Sequence, residues 1–323
     1  MRLRTEIEIT PFSNKIDYTS RIFTIGSCFA QRIGAMMERS KFRATVNPTG
    51  TLFNPMSVCA TIERLAQRRL ITADELHQND FGWYHFDFHS SLSAATKEQT
   101  LQNINRAIEE GHEKITNSDW VVITLGTSWI YELVESKELV ANCHKLPARN
   151  FLRTKLTVEQ IVKRLSAVID EHLGGKEIIM TVSPIRHIAD GLSENSLSKA
   201  TLRLAIDLLE QKFESLHYFP AYEILIDDLR DYRFYSEDMV HPSQVAVEYI
   251  WDLFCGAALS AHAKELMPRV MKIIKASEHR PTNPSSEAHK SLCMAQLKAI
   301  NELEEVELSK ENQYFSEQLK INL

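Results

Sequence analysis

Residues 120–125 read Trp-Val-Val-Ile-Thr-Leu and stop at Gly126. A strand that is apolar on both faces must be covered on both, as in the middle of a parallel sheet flanked by helices. Four more short runs read as strands. They are Arg21–Ile25 closed by Gly26, Arg43–Val46, Glu177–Val182 stopped by Pro184, and Tyr222–Ile226 ending in Asp227-Asp228. Between them, apolar residues recur at helical spacing. Phe29, Ile33, Met36 and Met37 make one such face; Pro55–Gln67, Leu101–Ile115, Thr157–Leu173 (stopped by Gly174-Gly175) and Leu197–Leu216 make others. A last helix is expected from Ser243 to about Leu259, with Pro242 at its first position. Strand followed by helix, repeated about five times, predicts an α/β fold: a three-layer, doubly wound parallel sheet of about five strands, flavodoxin-like in topology.

Composition narrows the class. At 323 residues, 44% hydrophobic and 25% charged, the chain has the make-up of a soluble globular protein with a large core. The net charge of −6 argues against nucleic acid as a partner, which needs a basic footprint. No run approaches the roughly 20 apolar residues of a membrane span. Met1–Thr10 lacks the apolar stretch of a secretory signal. The five cysteines, Cys28, Cys59, Cys143, Cys255 and Cys293, form no C-x-x-C pair, and reduced thiols in a cytoplasm are the expectation. Residues 1–262 read as one domain. Pro281, Asn283, Pro284, Ser285 and Ser286 read as a linker within a helical extension over 263–323. The charged segment Glu287–Leu319 reads as a docking helix, an oligomerisation arm or a mobile tail; Leu297, Ile300, Leu303 and Val306 at helical spacing suit homo-oligomerisation.

Open α/β sheets bind ligands at the carboxyl ends of their strands. Small, hydroxyl and ionisable residues collect there: Gly26-Ser27-Cys28-Phe29-Ala30, Asn47-Pro48-Thr49-Gly50, Gly126-Thr127-Ser128-Trp129, Ser183-Pro184-Ile185-Arg186-His187 and Asp238-Met239-Val240-His241-Pro242. Ser27 at a helix start is either an N-cap or a nucleophile whose alkoxide the helix dipole stabilises. Asp238 and His241, three apart before a helix, have the spacing of a base and the carboxylate that orients it. Cys28 is a rival nucleophile or a small packing residue. In His85-Phe86-Asp87-Phe88-His89, a strand would put His85, Asp87 and His89 on one face, as metal ligands or as a polar pocket wall. Asn142, His144, Arg186 and His187 are candidates for gripping an anionic part of a substrate, or for structural ion pairs. Ser196-Leu197-Ser198-Lys199 matches S-x-x-K, but the supporting S-D-N and K-T-G elements are missing, and Ser196 reads as a helix cap. There is no Walker A or G-x-G-x-x-G pattern, so a nucleotide cofactor is not indicated; the expectation is no cofactor and no metal, with a pocket wall preferred for His85, Asp87 and His89.

Gly26-Ser27-Cys28-Phe29-Ala30 resembles the signature pentapeptide of the GSCFA family, which is similar to the SGNH/GDSL hydrolases. Asn47-Pro48-Thr49-Gly50 with Asn54-Pro55, Leu125-Gly126-Thr127, Ser183–His187 with Ser198-Lys199, and Asp238–Ser243 resemble its later blocks, in order over about residues 20–260. The resemblance implies an SGNH-like fold and a serine hydrolase acting on an acyl ester of a small molecule or carbohydrate. Ser27 would be the nucleophile, His241 the base and Asp238 its orienting acid, with the Ser27 and Gly50 amides in the oxyanion hole. An acyltransferase and a degenerate binding or scaffold protein are the alternatives. The sequence departs from the SGNH pattern at the third block, which reads Gly126-Thr127-Ser128 without the usual Asn. Thr127, Asn47 or Asn54 would have to replace that donor, whose loss typically costs about 100–1000-fold in rate. The usual aspartate after the first-block glycine is also absent.

Overall fold

The computed structural model describes residues 4–320. Five strands form the central sheet: β1 (Arg21–Gly26), β2 (Arg43–Val46), β5 (Trp120–Leu125), β9 (Glu177–Val182) and β10 (Leu216–Tyr218). All pair in parallel, in the order β10-β9-β5-β1-β2. Counted along the chain this is 2-1-3-4-5, the flavodoxin-like order. β5 lies at the centre, with Ile22 opposite Trp120 on one side and Trp120 opposite Glu177 on the other. Its side chains alternate between two cores. Trp120 and Val122 join a cluster with Phe29, Ile33, Trp251 and Phe254, whereas Val121, Ile123 and Leu125 join Ile62, Ile104, Leu165 and Ile206. The apolar hexapeptide is thus a strand with both faces covered.

The first cluster lies under α1 (Cys28–Arg39) and α7 (Gln244–Ala258). The second lies under α2 (Pro55–Ala66), α3 (Lys97–Thr116), α4 (Val158–His172) and α5 (Leu192–Lys212). Two antiparallel additions complete this part: a hairpin of β3 (His77–Asn79) and β4 (Gly82–Tyr84), and a small sheet of β6 (Trp129–Leu133), β7 (Leu139–Val140) and β8 (Phe151–Lys155). β6 starts directly after the Gly126-Thr127-Ser128 turn, so this sheet rises from the carboxyl edge of β5.

The fold differs from the sequence expectation in four places. Tyr222–Ile226 is helical: a turn, α6 (Ala221–Glu223), runs into a π-helix over Ile224–Leu229. Its buried residues Ile224, Leu225, Asp228 and Leu229 follow a helical spacing, which a five-residue apolar window mistakes for a strand. The fifth strand is the three-residue Leu216–Tyr218 at the sheet's edge. Pro242 precedes the helix instead of opening it, because Ser243 is the cap, accepting from the Ala246 amide at 3.3 Å. Ser196 lies inside α5, which begins behind Gly191, and is not its cap.

The C-terminal segment forms α8 (Ala261–Glu278), α9 (Glu287–Asn301) and α10 (Ser309–Lys320). Cys293, Ile300, Leu303, Val306, Leu308 and Phe315 are buried in the same cluster as Trp251 and Phe254. Lys41 pairs with Glu311 at 2.7 Å, joining the end of α1 to α10. Of the readings open from sequence, docking describes the segment and a solvated tail does not. Three of the four apolar residues offered for self-association, Ile300, Leu303 and Val306, face the chain's own core. No helix among the described residues is long and apolar enough to cross a membrane.

Candidate active site

β1 must pass close to β5 before turning into α1. At Gly26, φ is +138°, and an added Cβ would lie 2.1 Å from the Thr124 carbonyl oxygen, so only glycine fits. Asn47 Oδ1 accepts from the Gly26 amide at 2.9 Å, and the Leu52 amide donates to Gly26 O at 2.9 Å. This knits the ends of β1 and β2 together. Ser27 follows as the N-cap of α1, its Oγ accepting from the Phe29 amide at 3.2 Å. The two sequence readings of Ser27 are therefore compatible: the cap geometry holds the hydroxyl at the positive end of the helix dipole. Ser27 is only 1% exposed. Next to it, burial pushes the Cys28 thiol up from its ordinary value, which disfavours the thiolate.

The loop before α7 folds on itself. Tyr235 bridges to Pro242, the Ser236 amide donates to His241 O at 2.8 Å, and Met239 takes a left-handed φ of 56°. Asp238 Oδ1 then accepts from the Val240 and His241 amides, both at 2.9 Å, while Oδ2 lies 2.6 Å from His241 Nδ1. The amides of His241 and Val240, followed by the His241 side chain, hold the Asp238 carboxyl down to about 2. An ionised carboxylate only accepts, so Nδ1 carries the hydrogen and Nε2 keeps the lone pair of a base. Arg186 fastens this loop to the one after β9, its amide donating to Val240 O at 3.2 Å and its Nη1 to Met239 O at 3.3 Å. Since α7 packs beside α1, the pair and Ser27 belong to the same edge of the sheet. No hydrogen bond joins His241 to Ser27 among the described residues.

The groups named for the oxyanion hole all have partners. The Ser27 amide donates to Thr124 O at 3.1 Å and the Gly50 amide to Asn47 O at 2.8 Å. Thr127 Oγ1 lies 3.1 Å from Ser198 Oγ and accepts from the Trp129 amide at 3.1 Å. Asn54 caps α2 through the Ser57 amide at 2.9 Å, and Asn47 holds Gly26. These contacts position the turns around Ser27. An incoming oxyanion would have to share or replace them.

His187 sits over the end of β5. Its Nε2 would be 3.4 Å from a Cβ on Gly126, and its ring meets Phe53 edge-on at 6.2 Å. Burial, then the positive charges of Lys199, Arg153 and His241, push His187 down to about 4, so it is neutral at pH 7. His85, Asp87 and His89 do not share a strand face, because β4 ends at Tyr84 and the chain turns. Asp87 pairs with Arg64 at 2.9 Å, while His85 Nδ1 accepts from the Asp87 amide at 3.0 Å. His89 instead packs against Gly50 and caps the next turn through the Ser91 amide. His144 is buried, stacked on Tyr84 at 4.3 Å, with Nε2 2.9 Å from His85 O; Asn142 Oδ1 accepts from its amide. Both line a 380 Å³ cavity with Trp83, Tyr84 and Lys145.

Sequence reasoning missed the role of Lys199, placed only in the S-x-x-K match and in a block resembling the family's. It is 1% exposed, and Nζ donates to Gly126 O at 2.6 Å and Ser183 O at 2.8 Å, tying the ends of β5 and β9 together. Asn195, whose Oδ1 accepts from the His187 amide at 2.9 Å, was also missed. A signal existed: Asn195, Ser198 and Lys199 continue the buried face of α5 that Leu202, Ala205, Ile206 and Leu209 define. Among the described residues, Asp17, His262 and Glu305 group three ligand atoms within 4.8 Å of one another. Ile16 bridges to Leu259 just before β1, so this group lies at the opposite edge of the sheet.

Fold and site together define a flavodoxin-like α/β protein with a buried, helix-capping serine and a histidine–aspartate pair on its carboxyl edge. The GSCFA family model matches residues 21–254, and the chain belongs to that family. A second model, the C-terminal domain of GSCFA domain proteins, matches residues 270–321. A search of curated proteins finds no match.

Proposed function

We propose that the protein is a serine hydrolase that cleaves an acyl ester of a small molecule or carbohydrate. The observation that carries this reading is the 2.6 Å contact between Asp238 Oδ2 and His241 Nδ1, which leaves Nε2 as the basic nitrogen. His241 takes the proton of Ser27 as Oγ bonds to the acyl carbon, giving a tetrahedral oxyanion. The N-terminal amides of α1 face this charge; that of Phe29 already donates to Ser27 Oγ. Collapse breaks the ester C–O bond, and His241 returns the proton to the leaving alcohol. Water, deprotonated by the same histidine, then releases the acid. A second alcohol in place of water would make the reaction an acyl transfer. The resemblance to SGNH hydrolases supports the same assignment, and the family match is consistent with it.

A second reading, a binding or scaffold protein without turnover, is favoured by the depth of Ser27 and by the partners that the Ser27 and Gly50 amides already have. One experiment separates the two. The full chain, Ser27→Ala and His241→Ala are treated with a fluorophosphonate probe and with short p-nitrophenyl esters, and adducts are mapped by mass. A Ser27 adduct with ester cleavage, both lost in the variants, supports the hydrolase. Absence of both leaves the binding reading, and an adduct on Cys28 refutes the nucleophile assignment.

A further inference from the structure

Beside the His241 loop lies a second cleft, of about 360 Å³, that the reaction above leaves unused. Its walls include Arg186, Arg230, Asn195, Tyr222, Tyr232 and Tyr235. Neither arginine forms an ion pair with a carboxylate among the described residues. The one lining carboxylate, Asp231, is bound to Arg233 at 3.1 Å. The Arg186 guanidinium lies against the rings of Tyr235 and Tyr232, 5.0 and 5.8 Å from their centroids. Arg230 ends the π-helix with a left-handed φ of 33°. That conformation is uncommon for a side-chain-bearing residue, and both it and π-helical turns recur at functional sites.

Asn195 supplies an independent observation. It is 4% exposed, and its Oδ1 is fixed by the His187 amide. That bond sets the orientation of the side-chain amide, so its two N–H donors remain for the cleft; no partner for them is present among the described residues. Burial pushes the Tyr222 and Tyr235 hydroxyls above their ordinary values, so both stay protonated; Tyr222 is hydrogen-bonded to Ser196 and Tyr235 to Arg186. A polar cleft with two uncompensated guanidinium groups and a fixed amide donor has the chemistry of an oxyanion receptor.

We infer that this cleft is a specificity subsite that binds a phosphate or carboxylate group carried by the substrate, next to the ester presented to His241. The location follows from Arg186, which lines the cleft and binds the backbone of Met239 and Val240. The inference rests on the hydrolase reading for the reaction but not for the binding.

Binding is measured by calorimetry on the full chain with inorganic phosphate and, separately, with acetate, at fixed ionic strength in chloride. Saturable binding of either anion is expected. Arg230→Gln, which leaves the His241 loop untouched, should weaken it about 10–100-fold, the effect of losing a charged hydrogen-bonding partner. Arg186→Gln should do the same. Preference for phosphate assigns a phosphorylated substrate and preference for acetate a carboxylated one. Binding that Ser27→Ala and His241→Ala retain supports the subsite even if ester cleavage fails. No binding, or binding that both arginine variants keep at full strength, overturns the inference whatever the esterase result.

Discussion

Lys199 offers a test in which the sign follows from the geometry. Complete burial pushes its ammonium from 10.5 down to about 7, with no carboxylate paired to it among the described residues. A neutral amine has two N–H donors, which match its two acceptors, Gly126 O and Ser183 O. Protonation adds a third hydrogen that faces only the Tyr222 ring, 5.8 Å away. The folded state therefore prefers the neutral form. The unfolded chain keeps its proton until about pH 10.5, so the penalty is complete below pH 7 and is relieved as pH rises from 7 to 10.5. A shift of that size corresponds to about 5 kcal/mol in total, of which about 4 kcal/mol falls between pH 6 and pH 10. Lys199→Met removes the titration and leaves two carbonyls unsatisfied, at about 1–3 kcal/mol each. Urea unfolding of both chains at pH 6, 8 and 10 measures the difference, and groups common to both cancel. The wild type should gain about 4 kcal/mol on the variant from pH 6 to pH 10. Parallel pH profiles would refute the claim that Lys199 is held neutral by burial.

Three further outcomes are expected. Asp238→Asn should lower ester turnover by about 10⁴-fold with little change in KM, because the amide leaves His241 in the wrong tautomer; since Asp238 is held near 2, its charge is lost only as pH falls through that value, and wild-type activity above about pH 4 should not report its titration. At Gly50, φ is +86° and a Cβ would lie 2.1 Å from His89 Cβ, so Gly50→Ala should destabilise by about 2–4 kcal/mol in urea; adding His89→Gly should recover part of it, and a neutral single variant would contradict the packing. Phe315 is fully buried, and Phe315→Ala should cost about 3–5 kcal/mol in one cooperative transition, whereas a separate early transition would mean that α9 and α10 unfold by themselves.

The sheet was legible because its strands are read by local periodicity. Trp120–Leu125, Arg21–Gly26 and Glu177–Val182 each bury both faces, and a strand covered on both sides needs no tertiary knowledge to be recognised. The edge strand Leu216–Tyr218 is three residues long and sets no such pattern. The neighbouring Tyr222–Ile226 is equally apolar but coils, since Ile224, Leu225, Asp228 and Leu229 turn one helical face inward. Apolarity reports burial, and only its period reports conformation.

The site divides along the same line. Asp238 and His241 meet within one loop, so a three-residue spacing was enough to predict a 2.6 Å contact. The partners of Thr127 and Lys199 lie up to 73 residues away in the chain, out of reach of any local pattern. The four-residue S-x-x-K match drew attention to Ser196 as a cap, whereas the informative fact was that a lysine continued the apolar face of α5. A lysine on a core face cannot be rationalised by solvation, so its amine needs fixed acceptors; here those acceptors are the carbonyls just past the ends of two central strands, at the edge where Ser27 and His187 stand. The same reasoning applies to Arg186 and Arg230, whose charge is offset by no carboxylate of the described chain and is therefore available to a ligand. In both cases the polar residue that does not fit its surroundings marks chemistry more reliably than the motif that does.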